Sequence, residues 1–209
     1  MVVDSKPLLG HMVENPSKAN RCETSLYDPV RFPWHSIREA VMTAERINFP
    51  QLPETEETLF GLFFHPESIV GIVTDPYLGL NRLAGFSLVV PEEVEYSLPH
   101  TEFGDRLKDA DPDTGYVHCT QFLPEFQNMG LVVKLHDEVI KEAAKIYDFL
   151  VRDAKKAKKY ADNLLTAYGD DVIEHFPHPS IYGEQEYIRI RLKTDRIIDL
   201  EPDQYIMYK

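Results

Sequence analysis

Little in this 209-residue chain ties it to a disulfide framework, a membrane or a nucleic acid. Only two cysteines occur, Cys22 and Cys119. They are far apart and lack metal-type spacing, which excludes a multi-bridge scaffold and fits free thiols in a reducing cytoplasm. No apolar run approaches the roughly 20 residues needed to span a bilayer. The opening stretch Met1 to Lys6 lacks the charged-then-apolar order of a signal peptide. The chain is therefore expected to be cytoplasmic, with no membrane partner. Basic residues are also scarce: 22 Lys and Arg stand against 35 Asp and Glu, a formal net charge of -13. Such a surface repels phosphate backbones, so no nucleic-acid partner is expected, and it favours a cationic amine.

The composition does support a core, with 43% hydrophobic and 11% aromatic residues. Residues 1–33, broken by Pro7, Pro16, Pro29 and Pro33, are read as irregular, and residues 34–209 as a single domain. Ile37, Val41, Ala44 and Ile47 recur at helical spacing, and a second helix is expected from Thr55 to Phe64. Ser68 to Thr74 and Leu83 to Val90 read as a hairpin around the Asp75-Pro76 turn, and residues 95–114 as a long acidic loop. Tyr116 to Leu123 is the next strand, and Gly130 opens a helix with Leu131, Leu135, Val139 and Ala143 on one face.

From Leu131 to Tyr168 there is no Gly or Pro. The spacing permits one very long helix. The run Tyr147 to Val151 instead permits a strand between two helices, which is the preferred reading. Glu186 to Leu192 alternates as a last clear strand, with a shorter one at Gln204 to Tyr208 in the tail. The order implies an α/β (α+β) fold, a mixed central β-sheet flanked by helices on both faces.

The segment richest in chemistry is Phe122-Leu123-Pro124-Glu125-Phe126-Gln127-Asn128-Met129-Gly130-Leu131-Val132. It joins a strand to a helix start, where free N–H groups and the helix dipole favour a pyrophosphate. An apolar residue, Pro124, an aromatic, Gln127 and Gly130 stand in the order of the motif of the GNAT N-acetyltransferase superfamily, which this segment resembles. Val132 stands where that family has a small residue. Phe64 to Pro91 is similar to the family's upstream hairpin, and Phe149 to Gly169 to its later strand and helix. The resemblance covers residues 34 to 192.

It implies a GNAT-like acyl-CoA N-acyltransferase fold, acetyl-CoA as co-substrate, and direct attack of a primary amine on the thioester. Phe122 and Leu123 would then contact the acetyl and pantetheine parts. Gln127, Asn128, Met129, Gly130, Leu131 and Val132 would hold the pyrophosphate. A tyrosine on the later helix, Tyr168 or Tyr160, would protonate the leaving thiolate. His118 is the candidate base, with an ordinary pKa near about 6.5; Glu93, beside Glu92, is the carboxylate alternative.

Each of these residues also has a plain structural reading. A tyrosine ring packs in a core, a histidine is satisfied within a sheet, and glutamates line a solvated turn. A non-catalytic acyl-CoA-binding or interaction module with the same fold is the alternative function. Strand alternation places His118 with Tyr116 and Thr120, away from Cys119. Glu174, His175 and His178 read as a surface loop rather than a metal site, and Lys155 to Lys159 as a solvated helix face. The open edge of the last strand allows pairing into a homodimer.

Overall fold

A computed structural model describes residues 16–78, 83–98, 110–155, 160–180 and 183–192. It begins with a short helix α1 (Pro16–Arg21) and strand β1 (Glu23–Leu26), followed by α2 (Trp34–Asn48) and α3 (Glu56–Phe63). Thr55 caps α3 by accepting from the Thr58 N–H, with Glu56 and Glu57 in the first turn. Next come β2 (Ile69–Thr74), β3 (Leu83–Pro91) and α4 (Glu92–Tyr96). Then follow β4 (Thr114–Phe122), α5 (Leu131–Ala143), β5 (Phe149–Lys155), α6 (Tyr160–Tyr168), β6 (Val172–Ser180) and β7 (Gly183–Arg191). Helix, strand, helix is thus the outcome over 131–168. Among the described residues, no helix is long and apolar enough to cross a membrane.

The strands form one seven-stranded sheet of order β1-β2-β3-β4-β5-β7-β6. All neighbours are antiparallel except β4 and β5, which run parallel and are joined through α5. Helices cover both faces, as expected. On one face Leu131, Leu135, Val139 and Ala143 of α5 and Leu164 of α6 pack on Val73, Val89, Val117 and Phe122. On the other, Ile37, Val41 and Ala44 of α2, Leu59 and Phe63 of α3, and Tyr96 of α4 pack on Ile72, Phe86, Leu88 and Tyr116. Strands β2 and β3 are buried along their whole length. That is why they read as continuous apolar runs rather than alternating ones.

Two stretches differ from expectation. Residues 16–26, read as irregular, supply α1 and an edge strand. In β1, Glu23 to Leu26 pair with Thr74 to Gly71 of β2. This strand is too short and polar to carry a period of its own, and it forms because β2 would otherwise expose a ladder edge. Glu174, His175 and His178, read as a surface loop, lie in β6, which among the described residues pairs with β7 alone. An edge strand tolerates Pro177 and Pro179, the residues that signal a loop in isolation. The segment 204–208 lies outside the described residues.

Helix α5 lies close on β2. A Cβ added at Gly71 would run into Val139 Cγ2 and come within 2.8 Å of Leu135 Cδ1. Gly71→Ala should therefore overpack this contact and lower stability by about 1–3 kcal/mol, measured by urea unfolding. An unchanged midpoint would show that α5 can back away from the sheet.

Candidate active site

The sheet opens in its middle. Strands β4 and β5 pair over only three positions, Thr114↔Phe149, Gly115↔Leu150 and Tyr116↔Val151. Beyond them β4 stays on β3 as far as Phe122↔Gly85, and β5 stays on β7 as far as Lys155↔Gln185. The two strands thus diverge into a wedge that begins at Val117 and Arg152. Leu123 donates its N–H to Ala84 on the β3 side. Alternation therefore aims the main-chain groups of Thr120 and Phe122 into the wedge, where no β5 ladder meets them.

A bulge lies at the start of the wedge. The β3–β4 register runs Leu88↔Cys119 then Val89↔Val117, so His118 is the extra residue. The bulge corrects the alternation expected for this strand. His118 and Cys119 now share the α2–α4 face with Tyr116, and Thr120 turns to the α5–α6 face.

On the α2–α4 face His118 Nδ1 lies 2.7 Å from Glu95 Oε2 of α4, and both side chains are 9% exposed. Burial favours the neutral ring, but Glu95 at contact, with Glu54 and Glu45 beyond it, outweighs this and raises the pKa to about 9. Glu45 is itself buried on α2. It accepts from the Glu54 N–H at 2.8 Å and from Gln121 Nε2, and so ties the α2–α3 connection to β4. Burial pushes the Cys119 thiol well above its ordinary pKa, with Glu45 adding to the shift. The thiol is therefore held protonated and is a poor nucleophile.

On the α5–α6 face His136 of α5, 3% exposed, places Nε2 3.2 Å from both Thr120 Oγ1 and Arg152 Nη1. Burial and the Arg152 charge hold its pKa well below the ordinary value. A guanidinium only donates, so Nε2 accepts and the ring proton sits on Nδ1. That atom is buried with no partner among the described residues.

At the wide end of the wedge, Phe122, Phe126, Gln127, Asn128, Met129, Gly130, Leu131 and Val132 line a shallow, open depression. Asn128 and Gly130 have left-handed backbones, φ 61° and 69°. Between Gln127, which donates to Pro124, and Val133, which donates to Gly130, no main-chain bond from the intervening N–H groups occurs among the described residues. Successive donors of this kind at a helix start make an anion cradle. Nothing lies within 4 Å of a Cβ placed at Gly130, so its φ rather than crowding calls for glycine.

The other sequence-derived candidates take varied positions. The Gln127 side chain turns back to the Phe122 carbonyl at 3.2 Å, a carbonyl that also accepts from Asn48 at 3.3 Å. The Leu123 N–H is taken by β3, so the main-chain offer to a ligand shifts toward Thr120 and the Phe122 N–H. Glu93 is exposed on α4, and its neighbour Glu92 instead accepts from the Tyr96 hydroxyl and the Asp111 N–H. Tyr168 is 3% exposed in the core beneath α6. The Tyr160 side chain, residues 156–159 and most of the acidic loop lie outside the described residues. His175, on β6, pairs with Glu186 at 2.9 Å.

Reading the sequence missed Glu45, Glu95, Thr120, His136 and Arg152. Helical spacing held a signal for two of them. Glu45 continues the Ile37–Val41 stripe, and Glu95 falls on the Glu92–Tyr96 face.

No family model and no curated protein matches the sequence. Solved structures do match in fold. A ribosomal-protein alanine N-acetyltransferase from Escherichia coli aligns with TM-score 0.53 at 14% identity, over 86% of this chain and 99% of that one. The NatC complex bound to Gag peptide and CoA aligns with TM-score 0.58 at 15% identity, over 83% and 99%. A GNAT superfamily phosphinothricin acetyltransferase from Sinorhizobium meliloti in complex with acetyl-CoA aligns with TM-score 0.55 at 9% identity, over 82% and 89%. The chain has the GNAT acyl-CoA N-acyltransferase fold.

The residues present fit an acyl-CoA. The N–H cradle at residues 128–132 suits its pyrophosphate. The open β4 edge suits the pantetheine amides, which can pair with it as an added strand would.

The raised His118 pKa has a definite sign. Its stabilising contribution is present in full below about 6.5 and is lost as pH rises through about 9. Unfolding free energy should fall across that window. In Glu95→Gln, where burial dominates, His118 should titrate below its ordinary value in an NMR experiment. A His118 resonance that titrates near the ordinary value in both proteins would refute the pairing.

Proposed function

We propose that this protein transfers the acetyl group of acetyl-CoA to a primary amine. The observation that carries the reading is the wedge itself. A strand edge open to the pantetheine arm runs from an anion cradle at one end to a buried His–Glu pair at the other. The supply of an activated acetyl thioester is the chemistry of acetyl-CoA; the chain binds, orients and moves protons.

Residues 128–132 hold the pyrophosphate, and the groups of Thr120 and Phe122 align the arm. Alignment of this kind accounts for much of the rate in a two-substrate transfer. Direct attack is favoured over an acyl-enzyme route because Cys119 is buried and protonated. The amine approaches from the α2–α4 face, where Glu45, Glu54 and Glu95 favour a cation. Loss of the ammonium proton to His118, once that ring is neutral, frees the nitrogen lone pair to form the C–N bond as the C–S bond breaks, and the second proton shed by the nitrogen passes by way of water to the leaving thiolate. With a pKa of about 9, this base makes kcat/KM rise with pH toward that value. The acceptor class is a small or terminal amine that is cationic in solution.

The deciding experiment is calorimetric titration with acetyl-CoA, followed by turnover with an amine panel. Gly130→Glu should weaken binding by more than about 100-fold, since it adds charge and bulk at the cradle and strains a left-handed residue. Gly130→Ala, which adds strain alone, should weaken it much less. Equal binding by all three proteins would refute the cradle. Tight binding with no turnover on any amine would favour a non-catalytic acyl-CoA-binding module.

A further inference from the structure

The co-substrate read from the wedge carries phosphates, while the chain is acidic overall and the cradle offers main-chain N–H groups alone. We propose that helix α1 completes the co-substrate site: Lys18, with Lys134 of α5 as a second cation, binds the phosphate groups of acetyl-CoA and makes the protein select a phosphorylated thioester carrier over bare acyl-pantetheine. The inference rests on the acetyl-CoA reading and names the cations at its phosphate end.

Placement is the first argument. Lys18 Nζ donates to the Glu125 carbonyl at 3.1 Å and lies 4.0 Å from the centre of the Phe126 ring. Phe126 is part of the wall of the depression that ends at Val132. The ammonium therefore stands on the rim of the cradle. A lysine carries three N–H donors. One goes to Glu125, and the ring face attracts the charge without using a donor. No other hydrogen bond or ion pair of Lys18 occurs among the described residues. Two donors remain for an anion.

Anchoring is the second argument. A helix of six residues does not hold by itself, and α1 is fixed at its far end. Arg21 donates from Nε to both Asp75 oxygens at 3.0 Å and from Nη2 to Oδ2 at 2.7 Å. Asp75 is fully buried just past β2. Burial alone would raise its pKa; the Arg21 fork, more than Lys18, holds it below the ordinary carboxylate value. Asp75 therefore has a cation of its own. Ala19 and Cys22 pack against the core beneath α5, and β1 carries the chain onto β2. Lys18 lies one turn before Arg21, on the same side of α1.

The second cation is the third argument. Lys134 is exposed on α5, four residues after Gly130 and so one turn along from the cradle. It makes no hydrogen bond or ion pair among the described residues. Burial and Asp75 raise the Cys22 pKa, and Arg21, Lys18 and Lys134 draw it back, so both lysines stand near that side chain. Farther along the same segment, Lys141 and Lys145 are each tied to a carboxylate, Asp137 and Glu142. The two lysines beside the cradle are not.

The test is calorimetric titration of the full chain with CoA, dephospho-CoA and pantetheine. Lys18→Gln should weaken CoA binding about tenfold in about 0.1 M salt. Lys134→Gln should weaken it about threefold, since its charge is more screened. Both variants should bind pantetheine as the unmodified protein does, and Lys18→Arg, which keeps the charge, should lose little. High salt should close the gap between Lys18→Gln and the unmodified protein. Loss of a tie that merely held the Glu125 carbonyl would persist at any salt. Dephospho-CoA identifies the phosphate: a loss that remains with it assigns Lys18 to the pyrophosphate, and a loss that disappears assigns it to the ribose phosphate. Unchanged CoA affinity in Lys18→Gln overturns the proposal, as does an equal loss for pantetheine or a loss that high salt leaves intact. Failure of the unmodified protein to bind CoA at all removes the acetyl-CoA reading itself, a result distinct from binding that ignores Lys18.

Discussion

The site depends on a sheet that stops pairing in its middle. β4 follows β3, and β5 follows β7, so the parallel contact between β4 and β5 lasts three residue pairs. The His118 bulge adds twist to β4 where the separation begins. Backbone groups left open inside a fold are costly unless something meets them. A ligand with amide groups of its own would meet that need, and the cradle before α5 offers donors for a charged end. The proposed binding site and the structural irregularity are therefore the same feature.

Electrostatics divides the wedge by face. On the α2–α4 side three glutamates surround one histidine and keep it charged near neutrality. On the α5–α6 side burial, reinforced by one arginine, keeps another histidine neutral. The two rings belong to one chain and differ in state because their neighbours differ in sign. A net charge of -13 would by itself oppose a polyanionic co-substrate. Local geometry offsets this at the cradle. Lys18 of α1 lies 4.0 Å above the Phe126 ring and donates to the Glu125 carbonyl at 3.1 Å, which places a cation at the edge of the same loop.

Much of the fold was legible in residue order. The Ile37–Val41–Ala44 stripe, the apolar runs of β2 and β3, and the Leu131–Leu135–Val139 face each carry their own period. The turn at Gly130 was legible too, since few other residues tolerate its backbone. The Phe149–Val151 strand was visible against a competing long-helix reading because its aromatic and β-branched residues suit a buried strand. Edge strands were not visible. β1 is short and polar, and β6 carries prolines that only its edge position permits.

The sequence by itself determined the layered α/β architecture and the cradle loop, because both rest on local signals: side-chain period, a left-handed glycine and a helix start. Tertiary structure alone decided the chemistry of the wedge. Glu95 reaches His118 across 23 residues, Gln121 reaches Glu45 across 76, and Arg152 meets His136 across a strand crossover. One extra residue in β4 decided which face His118 occupies. Contacts of that range, and the charge states they impose, follow from packing and leave no period in the chain.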